Sequence, residues 1–313
     1  MMSEFHMYRS LLGLSVCDAT GENVMHLTGA YKAGNVAGMR DPMGFLPWSD
    51  DTAMAIGLNR IVKKYGTVDQ LELAKEFANN AHKDPHRGYG KGTARLLFTY
   101  LYDAENWLDH SQHWWGPNTG SKGNGSAMRD SILGAYFGSR GFNGRGGNYT
   151  IDFQKIVEEA TKSAEVTHYH PEAIAGSIAV ALGAAVATYG PTVEYWDRIL
   201  QYTPHGVVRD AIEVVARDTS LTDNWKVVGA VGNGSKVTAL DTVPFALWIA
   251  NKTLHHIEWE LDRACQEAIE VGGDTDTVCA MVGGILGNTV PPTADLIKRT
   301  EPLPADCIVT WEE

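Results

Sequence analysis

Cysteine is scarce in this chain: Cys17, Cys265, Cys279 and Cys307 are all it has, with no CxxC pair and no Cys/His metal spacing. A disulfide framework or a zinc site therefore has no support, and a reducing, cytoplasmic setting is expected. Period-two alternation of apolar residues is also scarce, so strands are not the expected building unit. A lipid-like run is missing as well. The longest uncharged stretch lies between Glu172 and Glu194, but Gly176, Ser177, Gly183 and many alanines make it small-residued. Residues 173 to 187 read as a buried helix, and no membrane association is expected. The first ten residues carry Glu4, His6 and Arg9 without a secretory apolar core, so no signal peptide is expected. Positive charge is not in surplus either. At a formal net charge of −12 most of the surface repels phosphate, which argues against stable nucleic-acid binding. A single anionic small molecule stays compatible, because a bound divalent ion reverses the local field.

What is present is enough for one core: 313 residues at 44% hydrophobic content, with no linker. The chain is read as a single domain, 1–313, and as a monomer. Apolar residues recur at helical spacing, as in Ala53, Ile56, Gly57 and Ile61, and in Val278, Met281, Val282, Ile285 and Leu286. The same pattern places helices near residues 68–81, 94–108, 153–164, 207–217, 243–251 and 258–271. Glycine-, Asn- and Pro-rich joints lie between them at 116–125, 138–148 and 229–234, where function would sit on loops held by rigid helices. In Asp241-Thr242-Val243-Pro244 the proline reads as a helix start after an Asp/Thr cap.

Two acidic segments, far apart in sequence, look alike. Trp48-Ser49-Asp50-Asp51-Thr52 and Gly272-Gly273-Asp274-Thr275-Asp276-Thr277 each stand immediately before an amphipathic helix. Asp, Ser and Thr are ordinary N-cap residues, and either segment alone could simply start a helix. Each, however, holds two carboxylates within three residues beside a hydroxyl, where a cap needs one oxygen. The surplus suits hard divalent ions such as Mg²⁺ or Mn²⁺. Four carboxylates would neutralise a pair of them about 3.5–4 Å apart, as in two-metal hydrolases.

Seven segments in order resemble the ADP-ribosylglycohydrolase family. They are Cys17-Asp18-Ala19-Thr20-Gly21 (with Cys17 where the family has Gly), Trp48 to Thr52, Arg87 to Thr93, Gly123 to Arg129, Thr167 to Glu172, Ala239 to Trp248, and Gly272 to Thr277. The resemblance implies an all-α, single compact, orthogonally packed helical domain in which both acidic segments converge on a binuclear site. By family pattern the metal ligands are Ser49, Asp50, Asp51, Asp274, Asp276 and Thr277, with Ser49 standing where relatives usually carry Thr. The loop Gly123, Asn124, Gly125 and Ser126 would wrap the ADP-ribose diphosphate and distal ribose with main-chain amides. Tyr89, Gly90 and His168 would contact substrate, although a His before a helix is also an ordinary cap or core hydrogen-bonder.

The activity so implied is hydrolysis of the bond between ADP-ribose and a modified protein side chain, through an oxocarbenium-like transition state. Asp51 is the preferred general base. Alternatives are hydrolysis of a free derivative such as acylated ADP-ribose, or a non-catalytic ADP-ribose-binding or structural role, against which the four retained carboxylates argue. One position departs: Met25 stands where many relatives carry Glu, with Glu22 the nearest carboxylate. The Gly88-Tyr89-Gly90 stretch also lacks the Asp that arginine-directed bacterial relatives tend to place there.

Overall fold

Helix α1 (Met2–Leu27) shows no single apolar stripe, because residues 13–19 are buried on every side. That is why a search for one-faced periodicity passes over it. The computed structural model describes residues 2–27, 44–117, 119–141, 150–192, 194–256, 258 and 260–310. The side chains of 25–27 and 141 fall outside that description, and so does most of the 138–148 joint.

Every regular element among the described residues is helical. After α1 come α2 (Asp50–Tyr65), α3 (Gln70–Lys83), α4 (Lys91–Asp103), α5 (Trp107–His113) and α6 (Ser131–Gly138). They are followed by α7 (Phe153–Glu165), α8 (Pro171–Ala187), α9 (Tyr195–Tyr202), α10 (Val207–Arg217) and α11 (Asn224–Val231). The series ends with α12 (Ala239–Leu254), α13 (Leu261–Glu270), α14 (Thr275–Leu286) and α15 (Ala294–Arg299). Caps explain many of the boundaries. Ser49, Asp69, Asp152 and Asp223 each accept a hydrogen bond from a free amide of the following first turn, and Gly66, at φ 70°, ends α2.

Three sequence expectations need correction. The helix expected over 94–108 breaks at Ala104–Asn106, a short 3₁₀ turn between α4 and α5. Gly229, expected in a joint, lies inside α11. Pro244 does not open its helix. Thr238 is the N-cap of α12 and forms a capping box with Asp241, which leaves Pro244 in the second turn.

The core is built around α8, buried from Ala173 to Ala187 apart from Ile174, with α6, α7, α12 and α14 against it. Chain ends meet in the α1–α14 pair, the most extensive helix packing in the molecule. Small residues permit it: a Cβ at Gly13 would run into the Gly283 carbonyl, and Gly283 in turn leaves room for the Cys17 side chain. All four cysteines are free and buried. No helix among the described residues is long and apolar enough to cross a membrane.

Candidate functional site

The two acidic segments, 220 residues apart, open onto one cleft of about 790 Å³ whose lining includes Asp50, Asp51, Asp274, Asp276 and Thr277. A single turn of α1 sets them together. Asp18, fully buried, accepts on Oδ2 from the Ser49 amide (3.0 Å), the Thr52 amide (3.0 Å) and the Thr52 hydroxyl (2.5 Å). One turn later, Gly21 lies so close to the Thr275–Asp276 backbone that a Cβ there would collide with it, and the Thr275 hydroxyl donates to the Gly21 carbonyl at 3.1 Å. The Asp18–Gly21 turn thus registers the start of α2 against the start of α14. Reading the segments singly misses Asp18, because its partners lie more than thirty residues away.

Arg87 pins the first segment from outside. Its guanidinium stacks on the Trp48 ring at 3.7 Å, donates to the Trp48 carbonyl at 2.9 Å and pairs with Glu301 through two hydrogen bonds. The Arg87 carbonyl accepts from the Asp50 amide at 2.6 Å. At the second segment, Asn124 donates to Asp274 Oδ2 at 2.6 Å and to the Thr242 hydroxyl at 3.1 Å. This ties the glycine loop to the carboxylates.

Charge in this cleft is costly without a counter-ion. Burial, then the Asp276 charge, push Asp274 up to about 8. Burial together with the surrounding carboxylates holds Asp50 and Asp51 well above the ordinary range. Oδ1 of Asp51 and Oδ1 of Asp276 are buried with no hydrogen-bond partner. Hard oxygen donors, mutual repulsion and orphaned oxygens all fit divalent cations. The side chains do not yet form a finished shell: among the described residues no three His, Cys, Asp or Glu stand close enough to hold one ion together.

The expected site residues divide between the cleft and its surroundings. Gly90, Gly123, Asn124, Gly125 and His168 line the cleft with the four carboxylates. Ser49 lies behind it in a smaller recess with Glu22, where its hydroxyl caps α2 and donates to Asp51 Oδ2 at 3.0 Å. Tyr89 faces a separate hollow with Trp48 and Pro304. Ser126 is fully buried beneath the loop. The Met25 side chain lies outside the described residues. At the cleft rim Val237 holds φ at +55°, where a β-branched side chain is rarely found. Its turn is fastened by Lys236 N donating to Asp241 at 2.8 Å.

A buried relay, also unread from sequence, fixes His168. Arg129 donates to the Gly125 carbonyl (2.8 Å), the Ser163 carbonyl (2.7 Å) and the Thr167 hydroxyl (3.0 Å). The Thr167 hydroxyl lies 2.8 Å from His168 Nδ1. The Thr oxygen accepts from Arg129, and its contact with Nδ1 holds the imidazole in place. Burial, then the Arg129 charge, push His168 down to about 3, so the ring stays neutral. The imidazole packs closely under the loop: a Cβ at Gly125 would stand 2.9 Å from His168 Cε1. Gly125→Ala should therefore displace the loop, weakening ADP-ribose binding by about tenfold or more with the melting temperature little changed. Calorimetric titration with ADP-ribose checks this, and unaltered affinity would count against the loop as a ligand cradle.

Asp130, next along, gives a pH signature away from the cleft. Burial pushes it up to about 7 against the pull of Arg129, whose Nε is 4.0 Å from Oδ1. The folded protein holds a proton here that the unfolded chain gives up near pH 4. Its contribution to stability is greatest at low pH and declines as pH rises from about 4 to about 7. Asp130→Asn should remove that decline, so the variant gains on the wild type in melting temperature between pH 5 and pH 8. A difference independent of pH would refute the assignment.

Comparison with known proteins follows this geometry. The family model for ADP-ribosylglycohydrolase matches residues 6–292. The chain is 26% identical over 270 residues to ADP-ribosylhydrolase ARH3 of Homo sapiens, covering 77% of this chain and 70% of that one. It is also 26% identical over 281 residues to ADP-ribosylhydrolase ARH3 of Danio rerio, covering 78% and 70%. Among solved structures, an ADP-ribosylglycohydrolase-related protein complex superposes with a TM-score of 0.64 at 19% identity, covering 96% of this chain and 93% of the other.

Proposed function

This chain belongs to the ADP-ribosylglycohydrolase family, and from that premise we propose that its cleft cleaves the bond joining the distal ribose of ADP-ribose to a protein side chain. Two divalent ions, Mg²⁺ or Mn²⁺, would be held by Asp50, Asp51, Asp274, Asp276 and Thr277, with Ser49 as the sixth donor if its hydroxyl turns from its cap. The carrying observation is that carboxylates from both ends of the chain share one cleft with the glycine loop. When bound, such ions supply counter-charge to the carboxylates and a Lewis acid for the ribose hydroxyls and water.

The chain's own residues account for the rest. The amides around Gly123 and Gly125 take the diphosphate, and Asn124, fixed by Thr242 and Asp274, sets the loop's distance from the carboxylates. His168 presents a neutral imidazole beside that loop. Asp51 is the proposed base: Ser49 engages Oδ2, and the free Oδ1 receives the proton of the attacking water. As the water oxygen bonds to the anomeric carbon, the bond to the leaving side chain breaks, and its electron pair goes with the side chain. A cytoplasmic working place is proposed with it, supported by the free, buried cysteines.

Incubation with arginine-, serine- and acyl-linked ADP-ribose, with Mg²⁺ or Mn²⁺, tests this by release of free ADP-ribose. No release from any would overturn the reading. With Met25 in place of a carboxylate, release from arginine or acyl linkages should exceed release from serine. A protonated guanidinium or an acyl group departs with less help than an alkoxide, which needs a proton supplied. Faster release from serine would show that Met25 does not govern the linkage.

A further inference from the structure

We propose that the outer face of α4 is the docking strip for the modified partner, taking an acidic and then apolar stretch of polypeptide that leads away from the modified side chain. This rests on the reading that the cleft removes ADP-ribose from proteins, and it names what those proteins carry beside the modification.

Lys91, Arg95, Phe98 and Tyr102 recur at four, three and four residues along α4, so they share one helical face. All four are exposed, and Phe98 at 59% and Tyr102 at 78% are large apolar side chains left in solvent. The strip is continuous with the cleft. Lys91 and Arg95 line the cleft wall, and Arg95 also lines a neighbouring recess of about 380 Å³ that includes Phe98 and Trp114. The two aromatics meet edge to face at 5.4 Å and form a pad rather than two isolated rings.

Charge decides the chemistry of the occupant. In a chain of net charge −12, Lys91 and Arg95 pair with no carboxylate among the described residues, whereas most other arginines do. Arg95 lies over the Trp114 ring at 5.8 Å, and neither cation has a carboxylate partner among the described residues, so both are suited to carboxylates of a ligand seated there. From Lys91 to Tyr102 the face runs about 16 Å, the reach of about five extended residues. Beyond the two cations the face is apolar, so a continuous polyanion such as a nucleic acid would find nothing further to pair with.

The test uses peptides carrying ADP-ribose through whichever of the arginine, serine and acyl linkages the protein cleaves, with either acidic or basic neighbours, alongside the ADP-ribosylated amino acid alone. The acidic peptide should show a KM about tenfold lower than the basic one, the product of two exposed ion pairs worth roughly a factor of three each. Arg95→Glu should abolish that preference, since Lys91 remains, and Lys91→Glu added to it should invert it. Phe98→Ser and Tyr102→Ser should raise KM for both peptides while leaving the single amino acid conjugate unaffected. Equal KM for the two peptides with the unmutated protein, a preference left intact by Arg95→Glu, or a nucleic-acid-linked conjugate outcompeting the acidic peptide would overturn the proposal. Failure to release ADP-ribose from the amino acid conjugate and the peptides alike would overturn the glycohydrolase reading on which it rests.

Discussion

Asp276→Asn and Asp50→Asn should each lower turnover by about a thousandfold or more, while the metal-free variants melt no lower than the wild type. Each substitution removes a charge and almost no volume. In the metal-free cleft the carboxylates repel one another in a half-buried setting, as the upward displacement of Asp50, Asp51 and Asp274 records. Taking one charge away relieves that repulsion, and fold stability is kept or gained. The same charge is what the proposed divalent ions require, so the stabilisation that Mg²⁺ or Mn²⁺ is expected to give the wild type should shrink in the variants. Turnover and melting with and without metal, measured on the same samples, separate the two effects. Wild-type turnover in either variant would dispose of the binuclear assignment, and a lower melting point without metal would mean these carboxylates build the fold.

Arg129→Ala should be the most damaging change to stability, costing about 3–5 kcal/mol, as when one partner is removed from a buried ionic network. Arg129 is fully buried, and its guanidinium lies 4.7 Å from the Phe77 ring. Its removal leaves the carbonyls of Gly125 and Ser163 without their donors and Asp130 without a neighbouring positive charge. Arg129→Lys should rescue little, since an ammonium cannot span Gly125, Ser163 and Thr167 with the planar fork. Asp130→Asn in the same chain should recover part of the loss. Thermal denaturation measures all three, and a melting point for Arg129→Ala within a few degrees of wild type would contradict the argument.

The acidic segments were legible because surplus carboxylates at a helix start violate a local rule that any reader of the sequence can apply. Helices with one apolar stripe, such as α7 and α10, were legible for the same local reason. Of the helices buried on all sides, α8 is legible from its long uncharged, small-residue run, but the shorter α6 and the charged-ended α1 offer no period to detect, and their helicity is fixed by neighbours. Asp18 and the Arg129–Thr167–His168 relay also act through partners distant in sequence, which no window along the chain contains. The loop at 123–126 was placed on the ligand side as a block, yet only Gly123, Asn124 and Gly125 reach the cleft. Ser126 turns inward because the loop is already entering the buried 3₁₀ turn Ala127–Arg129.

The pairing of α1 with α14 also bears on how the protein is made. A ribosome releases the partner of Asp18 at Ser49 early, but the Thr275–Asp276 backbone that rests on Gly21 emerges only after most of the chain. Closing so long a loop is slow, and a nascent chain folds in the order in which it emerges. The first acidic segment must wait, exposed, for its counterpart. A chain stalled before residue 272 would carry only the first pair of carboxylates and an unsealed α1 groove, the kind of exposed surface that chaperones bind. Catalytic competence would be among the last properties acquired during synthesis.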